Sequence, residues 1–290
     1  MKNLLHINAR DGLCNCRIKF YPSEDGAWVP VEMMISERKI FNPSGLESEG
    51  WKNFEKYDDN SRVETDIKSS QSNSDRAVKR ARAKVLDIIR CNTDFRYFCT
   101  LTYNGESFAR DDYKSVVASF SMWCDNRVRR NGLKYLAVIE RHKDKKGLHF
   151  HVLCNDVLKL VDSGTVKVPH RKKPIKVSTA DRYKVPEADR KTVYNISDWS
   201  YGFSTAIEIT GDPGLVKVSA YLQKYLTKES EKVGGRWYYS GGVLLRPVYR
   251  YCDNDYYSAD YDYQIIIPGN SLRVLRFENG SHEFLGKILS

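Results

Sequence analysis

The chain has 290 residues, 41% of them hydrophobic, enough to bury an ordinary core without disulfide or metal staples. Its 47 Lys and Arg against 37 Asp and Glu leave a net charge of +10, and with 19 Tyr this suits a polyanion carrying stackable bases. No apolar run reaches the roughly 18 residues of a membrane helix, and the seven cysteines, with no CxxC pair, read as reduced thiols, so a soluble cytoplasmic protein without signal peptide is expected.

Residues 1–55 hold two strand-like runs, CRIKFYP and WVPVEMMI, and predict a small β-rich leader. Cys14 and Cys16 have no second pair to complete a zinc set. Residues 56–75 are polar and predict a linker. Ser74 or Asp75 then caps a helix whose apolar stripe is Val78, Ala81, Val85, Leu86 and Ile89. Its basic residues, Arg76, Lys79, Arg80, Arg82 and Lys84, form a solvated face or a contact for a DNA backbone.

The run FRYFCTLTYNG alternates Phe98, Thr100 and Thr102 with Cys99, Leu101 and Tyr103, as a strand does. Residues 111–131 place Tyr113, Val116, Val117, Phe120 and Trp123 at helical spacing, with Gly132 as a stop. LKYLAVIERH and GLHFHVLCN then form a hairpin about the turn KDKKG. Successive strand side chains point to opposite faces, so His149 and His151 share one face and Phe150 takes the other. Folding the hairpin about its centre sets Glu140 opposite His149.

The two histidines are either polar residues on a solvent face or ligands of one ion. With Glu140 beside them they make a nitrogen and oxygen set with positions left open, suited to Mn²⁺ or Mg²⁺ rather than to structural zinc. Residues 157–198 form a long connection with a basic centre that includes Arg171, Lys172 and Lys173, either an exposed insertion or an arm along a phosphate backbone. WSYGFSTAIEIT is a further strand, stopped by GDPG.

The segment LVKVSAYLQKYLTKESEK has helical period, with Leu215, Val218, Leu222 and Leu226 buried and Lys217, Tyr221, Lys224, Tyr225 and Lys228 on the neighbouring face. Tyr-x-x-Lys occurs twice in succession, Tyr221 with Lys224 and Tyr225 with Lys228. Tyr and Lys are ordinary on a half-exposed helix. Beside a metal triad, however, a phenol can attack a polarised phosphate while nearby cations favour phenolate.

In order and spacing, FCTLTYN, the HFH triplet with Glu140 upstream, and YLQKYLTK resemble the three motifs of HUH endonucleases that initiate rolling-circle replication, especially the two-tyrosine type of microviruses, phages and plasmids. The resemblance covers about residues 75–250. It implies an α+β fold, a ferredoxin-like (RRM-like) palm over 76–235 with an antiparallel sheet and packed helices, flanked by the β-rich leader and a C-terminal extension over 236–290.

It further implies that Glu140, His149 and His151 bind Mn²⁺ or Mg²⁺, and that Tyr221 or Tyr225, with Tyr221 first, attacks single-stranded DNA at an origin. The products are a 5′-phosphotyrosine and a 3′-OH primer, and the second tyrosine later rejoins the strand. Lys224 and Lys228 would stabilise the pentavalent phosphate, and Thr100 and Thr102 would contact DNA. A host polymerase and helicase become partners, the bacterial cytoplasm the location, and no membrane is involved. GSHEFLGKI lacks the spacing of a phosphate-binding loop, so no ATPase is expected. Two alternatives stand: a non-catalytic module that binds single-stranded nucleic acid, and an HUH transposase or relaxase.

Overall fold

The computed structural model describes residues 13–23, 25–41, 67–106, 109, 112–142, 147–209, 211–228, 232–253, 262–267 and 270–277. In chain order the elements are β1 (Cys16–Pro22), β2 (Trp28–Ser36), α1 (Ile67–Cys91), β3 (Tyr97–Thr102), α2 (Tyr113–Asn131), β4 (Tyr135–Arg141), β5 (Leu148–Cys154), β6 (Leu160–Lys167) and β7 (Ile175–Lys176). They continue with α3 (Val177–Arg182), β8 (Lys191–Ile196), β9 (Ser204–Glu208), α4 (Gly211–Lys228), β10 (Tyr239–Gly241), β11 (Val248–Cys252), β12 (Tyr263–Ile267) and β13 (Asn270–Arg276). The fold is α+β, compatible with a ferredoxin-like palm carrying extensions.

Two compact units result, residues 1–76 with 246–290, and residues 77–245. In the first unit the two ends of the chain meet in one antiparallel sheet of order β11-β1-β2-β13-β12. Alternation along β1 buries Cys16, Ile18 and Phe20, which pack with Met33, Ile35, Cys252 and Leu275. The described parts of the expected leader and extension are therefore strands of one sheet, because β11 and β13 pair with β1 and β2. Residues 236–245 belong to the other unit, where β10 pairs with β4.

The second unit is built on an eight-stranded sheet of order β10-β4-β5-β3-β9-β8-β6-β7. One face packs on α2: Cys99, Leu101, Ile139, Phe150 and Val152 meet Val116, Phe120 and Trp123. Phe150 is fully buried and stacks on Phe120, ring centroids 4.1 Å apart. The opposite face packs on α1 and α4, through Val85, Ile88 and Ile89 from the one and Leu222 and Leu226 from the other against Leu136, Val138 and Leu153. His149 and His151 lie on this second face, since they alternate with Phe150.

Local signals account for most boundaries. Asp112 accepts a hydrogen bond from the Ser115 backbone N–H at the start of α2, and Gly132 closes the helix in the left-handed conformation, its N–H donating to Val128 O. Three expectations are corrected. The helix expected from Ser74 or Asp75 begins at Ile67, since the polar SSQSNS contains no Gly or Pro to stop it. The residues GDPG open α4 rather than ending in a turn, because Pro is tolerated in a first helical turn where its missing N–H has no partner to lose. The connection over 157–198 is mostly structured: β6, β7 and β8 extend the sheet beyond β9, with α3 between them.

The turn 143–146, the residues 254–261 of the tyrosine-rich tail, the GSHEFLGKI string and residues 56–66 of the expected linker lie outside the described residues. All seven cysteines are free and buried. Among the described residues no helix is long and apolar enough to cross a membrane.

Candidate active site

The site grows from the register of three strands. β4 pairs with β5 so that Glu140 stands opposite His149, and β3 pairs with β5 so that Thr100 and Thr102 stand opposite His151 and His149. Opposed residues of an antiparallel pair share a face, so all five side chains look toward α4. The Glu140 carboxylate reaches across the diagonal to His151, Oε2 to Nε2 3.0 Å. Each imidazole meets a threonine through its other nitrogen: Thr100 Oγ1 is 3.3 Å from His151 Nδ1, and Thr102 Oγ1 is 3.0 Å from His149 Nδ1.

α4 closes the site from above. Leu222 and Leu226 anchor it on the sheet, and spacing of one helical turn then puts Tyr221 and Tyr225 on the side facing His151. Tyr225 stacks on His151, centroids 4.4 Å apart, and Tyr221 meets the same imidazole edge-on at 5.7 Å. The Tyr225 hydroxyl donates to the Tyr221 hydroxyl and also bonds to the Glu140 carboxylate. Burial, followed by the bond to Tyr221 and the nearby Glu140, pushes the Tyr225 phenol well above its ordinary pKa. Tyr225 is 8% exposed and Tyr221 41%. The inner phenol is held neutral, and the outer one faces solvent.

Two residues absent from the sequence reading join this cluster. Phe98, one position along β3 from the threonine pair, lies parallel to His151 at 5.9 Å and edge-on to Tyr221 at 5.5 Å. His142 stacks on His149 at 3.8 Å, and its Nε2 is buried with no hydrogen-bond partner among the described residues. The signal for His142 was the alternation that placed Glu140: residues 140 and 142 share the face of 149 and 151.

Other residues lie apart from the cluster. Lys224 lines a groove of about 740 Å³ between α1 and α4, with Arg82, Arg90 and Val216, on a different side of the helix from the tyrosines. Lys228 ends α4, and its side chain lies outside the described residues. Arg171, Lys172 and Lys173 are exposed in the turn between β6 and β7, with β9 and β8 standing between β3 and β6. There the Lys167 ammonium donates to the carbonyls of Arg171 and Lys172, and the Arg171 guanidinium covers the Tyr183 ring at 4.8 Å.

Among the described residues no three His, Cys, Asp or Glu side chains are drawn together as the ligands of an ion. The donor set nevertheless fits a divalent cation. Two imidazoles and a carboxylate from adjacent strands share one face, and both imidazoles present Nδ1 to a hydroxyl, which leaves Nε2 as the coordinating edge.

Residues 96–230, just under half of the chain, match the model of a family of replication-associated proteins, the ORF2 family. The matched segment runs from the start of β3 past the end of α4 and includes every residue singled out above as catalytic, metal-binding or DNA-binding. This similarity supports a replication-associated role with DNA as the partner. No curated protein and no solved structure matches the chain.

Proposed function

We propose that the protein is a rolling-circle replication initiator of the two-tyrosine HUH type, which nicks single-stranded DNA at an origin and later rejoins it. The observation that carries this reading is the packing of Tyr221 and Tyr225 on His151, whose Nε2 meets Glu140. A nucleophile pair on a helix and a nitrogen and oxygen ligand set on a sheet are the two halves of a transesterification site. The similarity of residues 96–230 to replication-associated proteins supports the biological task.

In the first step the Tyr221 oxygen attacks the scissile phosphorus. The bond to the 3′ oxygen breaks, the phenolic proton is lost, and the departing oxygen gains a proton to become a 3′-OH. One phosphodiester replaces another, so the 5′-phosphotyrosine keeps the energy needed for rejoining. Held by Glu140, His149 and His151, Mn²⁺ or Mg²⁺ would supply Lewis-acid polarisation of the phosphate and offset the charge developing on its oxygens. Tyr221 acts first because it is the exposed phenol, while Tyr225 holds its proton between Tyr221 and Glu140. Tyr225 then serves as acceptor in the closing step. Lys224 and Lys228 stabilise the phosphate, Arg171, Lys172 and Lys173 contact flanking DNA, and the 3′-OH passes to a host polymerase and helicase.

The test is incubation with single-stranded oligonucleotides tiling the replicon that encodes the protein, in Mn²⁺, Mg²⁺ or EDTA, followed by a denaturing gel. A covalent adduct that needs the ion and disappears in the Tyr221→Phe, Tyr225→Phe double variant is expected. Binding without adduct in any metal would overturn the reading in favour of a non-catalytic DNA-binding module.

A further inference from the structure

The strand opposite the histidines repeats one contact twice. Thr100 and Thr102 alternate along β3 as His149 and His151 do along β5, and in this register each hydroxyl meets the Nδ1 of the imidazole directly across from it. Phe98, on the same face of β3, lies parallel to the His151 ring on the side where Thr100 meets its edge.

We propose that Thr100 and Thr102 are positioning residues, which set the tautomer and ring orientation of His151 and His149 so that both Nε2 atoms can ligate one divalent cation. This rests on the reading of the two histidines as ion ligands. It assigns the threonines a task other than contact with DNA.

The reason lies in imidazole chemistry. A neutral ring carries one N–H and one lone pair, and coordination through Nε2 requires the proton on Nδ1. A group that accepts from Nδ1–H favours that tautomer and fixes the ring's rotation, as partners beyond the ligands do in metal sites generally. A hydroxyl also donates. It can therefore bond to a bare Nδ1 when the proton sits on Nε2, the state in which His151 donates to Glu140 Oε2. One side chain satisfies the imidazole in both states without turning the ring. Threonine suits the place because its branched β carbon restricts χ1 and favours a strand, so the hydroxyl is held where the register puts it.

The experiment is calorimetric titration of the full chain with Mn²⁺, for wild type, Thr100→Val, Thr102→Val, Thr102→Ser and His151→Ala, alongside ¹⁵N NMR of the histidine ring nitrogens in ion-free protein. Thermal melts check that each variant is folded. The expected result is one Mn²⁺ site lost in His151→Ala, weakened about 10- to 100-fold in each Val variant and restored by Ser, with an altered tautomer ratio at the facing histidine in the Val variants. Folded Val variants with wild-type affinity and wild-type ring shifts would overturn the proposal and leave the ion site standing. Weakened binding that Ser does not restore would also overturn it, since the hydroxyl would then not be the cause. A wild-type chain that takes up no Mn²⁺ would remove the ion-site reading and the proposal with it.

Discussion

Tyr225 lies face to face with His151, ring centroids 4.4 Å apart and planes 22° from parallel, while its hydroxyl bonds to both Tyr221 and Glu140. The contact ties the last helix of the second unit to the central hairpin, and it gives the two tyrosines unequal surroundings. Tyr221 sits at the mouth of the cluster and Tyr225 inside it.

That inequality predicts an order of use. Tyr221→Phe should slow formation of the first covalent adduct by at least about tenfold, whereas Tyr225→Phe should leave the first cleavage largely intact and impair strand transfer. Adduct time courses on a single-site oligonucleotide, followed by a rejoining assay with an added 3′-OH strand, separate the two. Equal loss in both single variants at the first step would contradict the assignment.

Glu140→Gln keeps the shape of the side chain and removes its charge. On the proposed mechanism the adduct rate should fall about 100-fold, and the remaining activity should respond weakly to Mn²⁺. The melting temperature should change little, because the amide still hydrogen-bonds to its neighbours. A variant that nicks at the wild-type rate in EDTA would count against any role for the carboxylate in holding an ion.

Phe150 tests the scaffold beneath the site. It is fully buried and stacked on Phe120, so Phe150→Ala should cost about 3–5 kcal/mol in urea denaturation, by lost transfer energy and the cavity left behind. His149→Ala, with a partly exposed side chain on the other face of β5, should cost far less stability while removing the activity. Similar destabilisation by both would mean that the histidine face is core.

Alkaline titration gives a fourth check. Burial raises the phenols of Tyr103, Tyr135 and Tyr225 above the ordinary value near pH 10. Below that pH both folded and unfolded chains keep these protons and the contribution is intact. Above it the unfolded chain loses them first, so stability falls as pH rises through the folded values. The urea midpoint should drop between about pH 9 and pH 11, and part of the tyrosinate absorbance should appear only with unfolding. A fully reversible titration of every tyrosine near pH 10 in folded protein would contradict it.

Much of the second unit could be read locally. The hairpin, the pairing of Glu140 with His149, the cap and stop of α2 and the apolar stripe of α4 all follow from alternation, helical spacing or single residues with defined backbone preferences. Thr100 and Thr102 were legible as a strand but not as partners of histidines, because the adjacency of β3 and β5 depends on sheet order rather than on either sequence. Lys224 shows the limit of helical spacing. Position i+3 shares a broad face with Tyr221, yet the side chain belongs to the groove with Arg82 and Arg90. The ends of the chain gave no hint of each other, since strand pairing across most of the sequence leaves no periodic trace.

The sequence by itself determined which residues can carry the chemistry and which face of its own element each occupies, because side-chain direction along a strand or helix is a local property with period 2 or 3.6. Only the tertiary structure decided which faces meet. Packing of α4 through Leu222 and Leu226 onto the sheet is a sum of many nonlocal apolar contacts, and it is this packing that lowers Tyr225 onto His151, leaves Tyr221 open and turns Lys224 away.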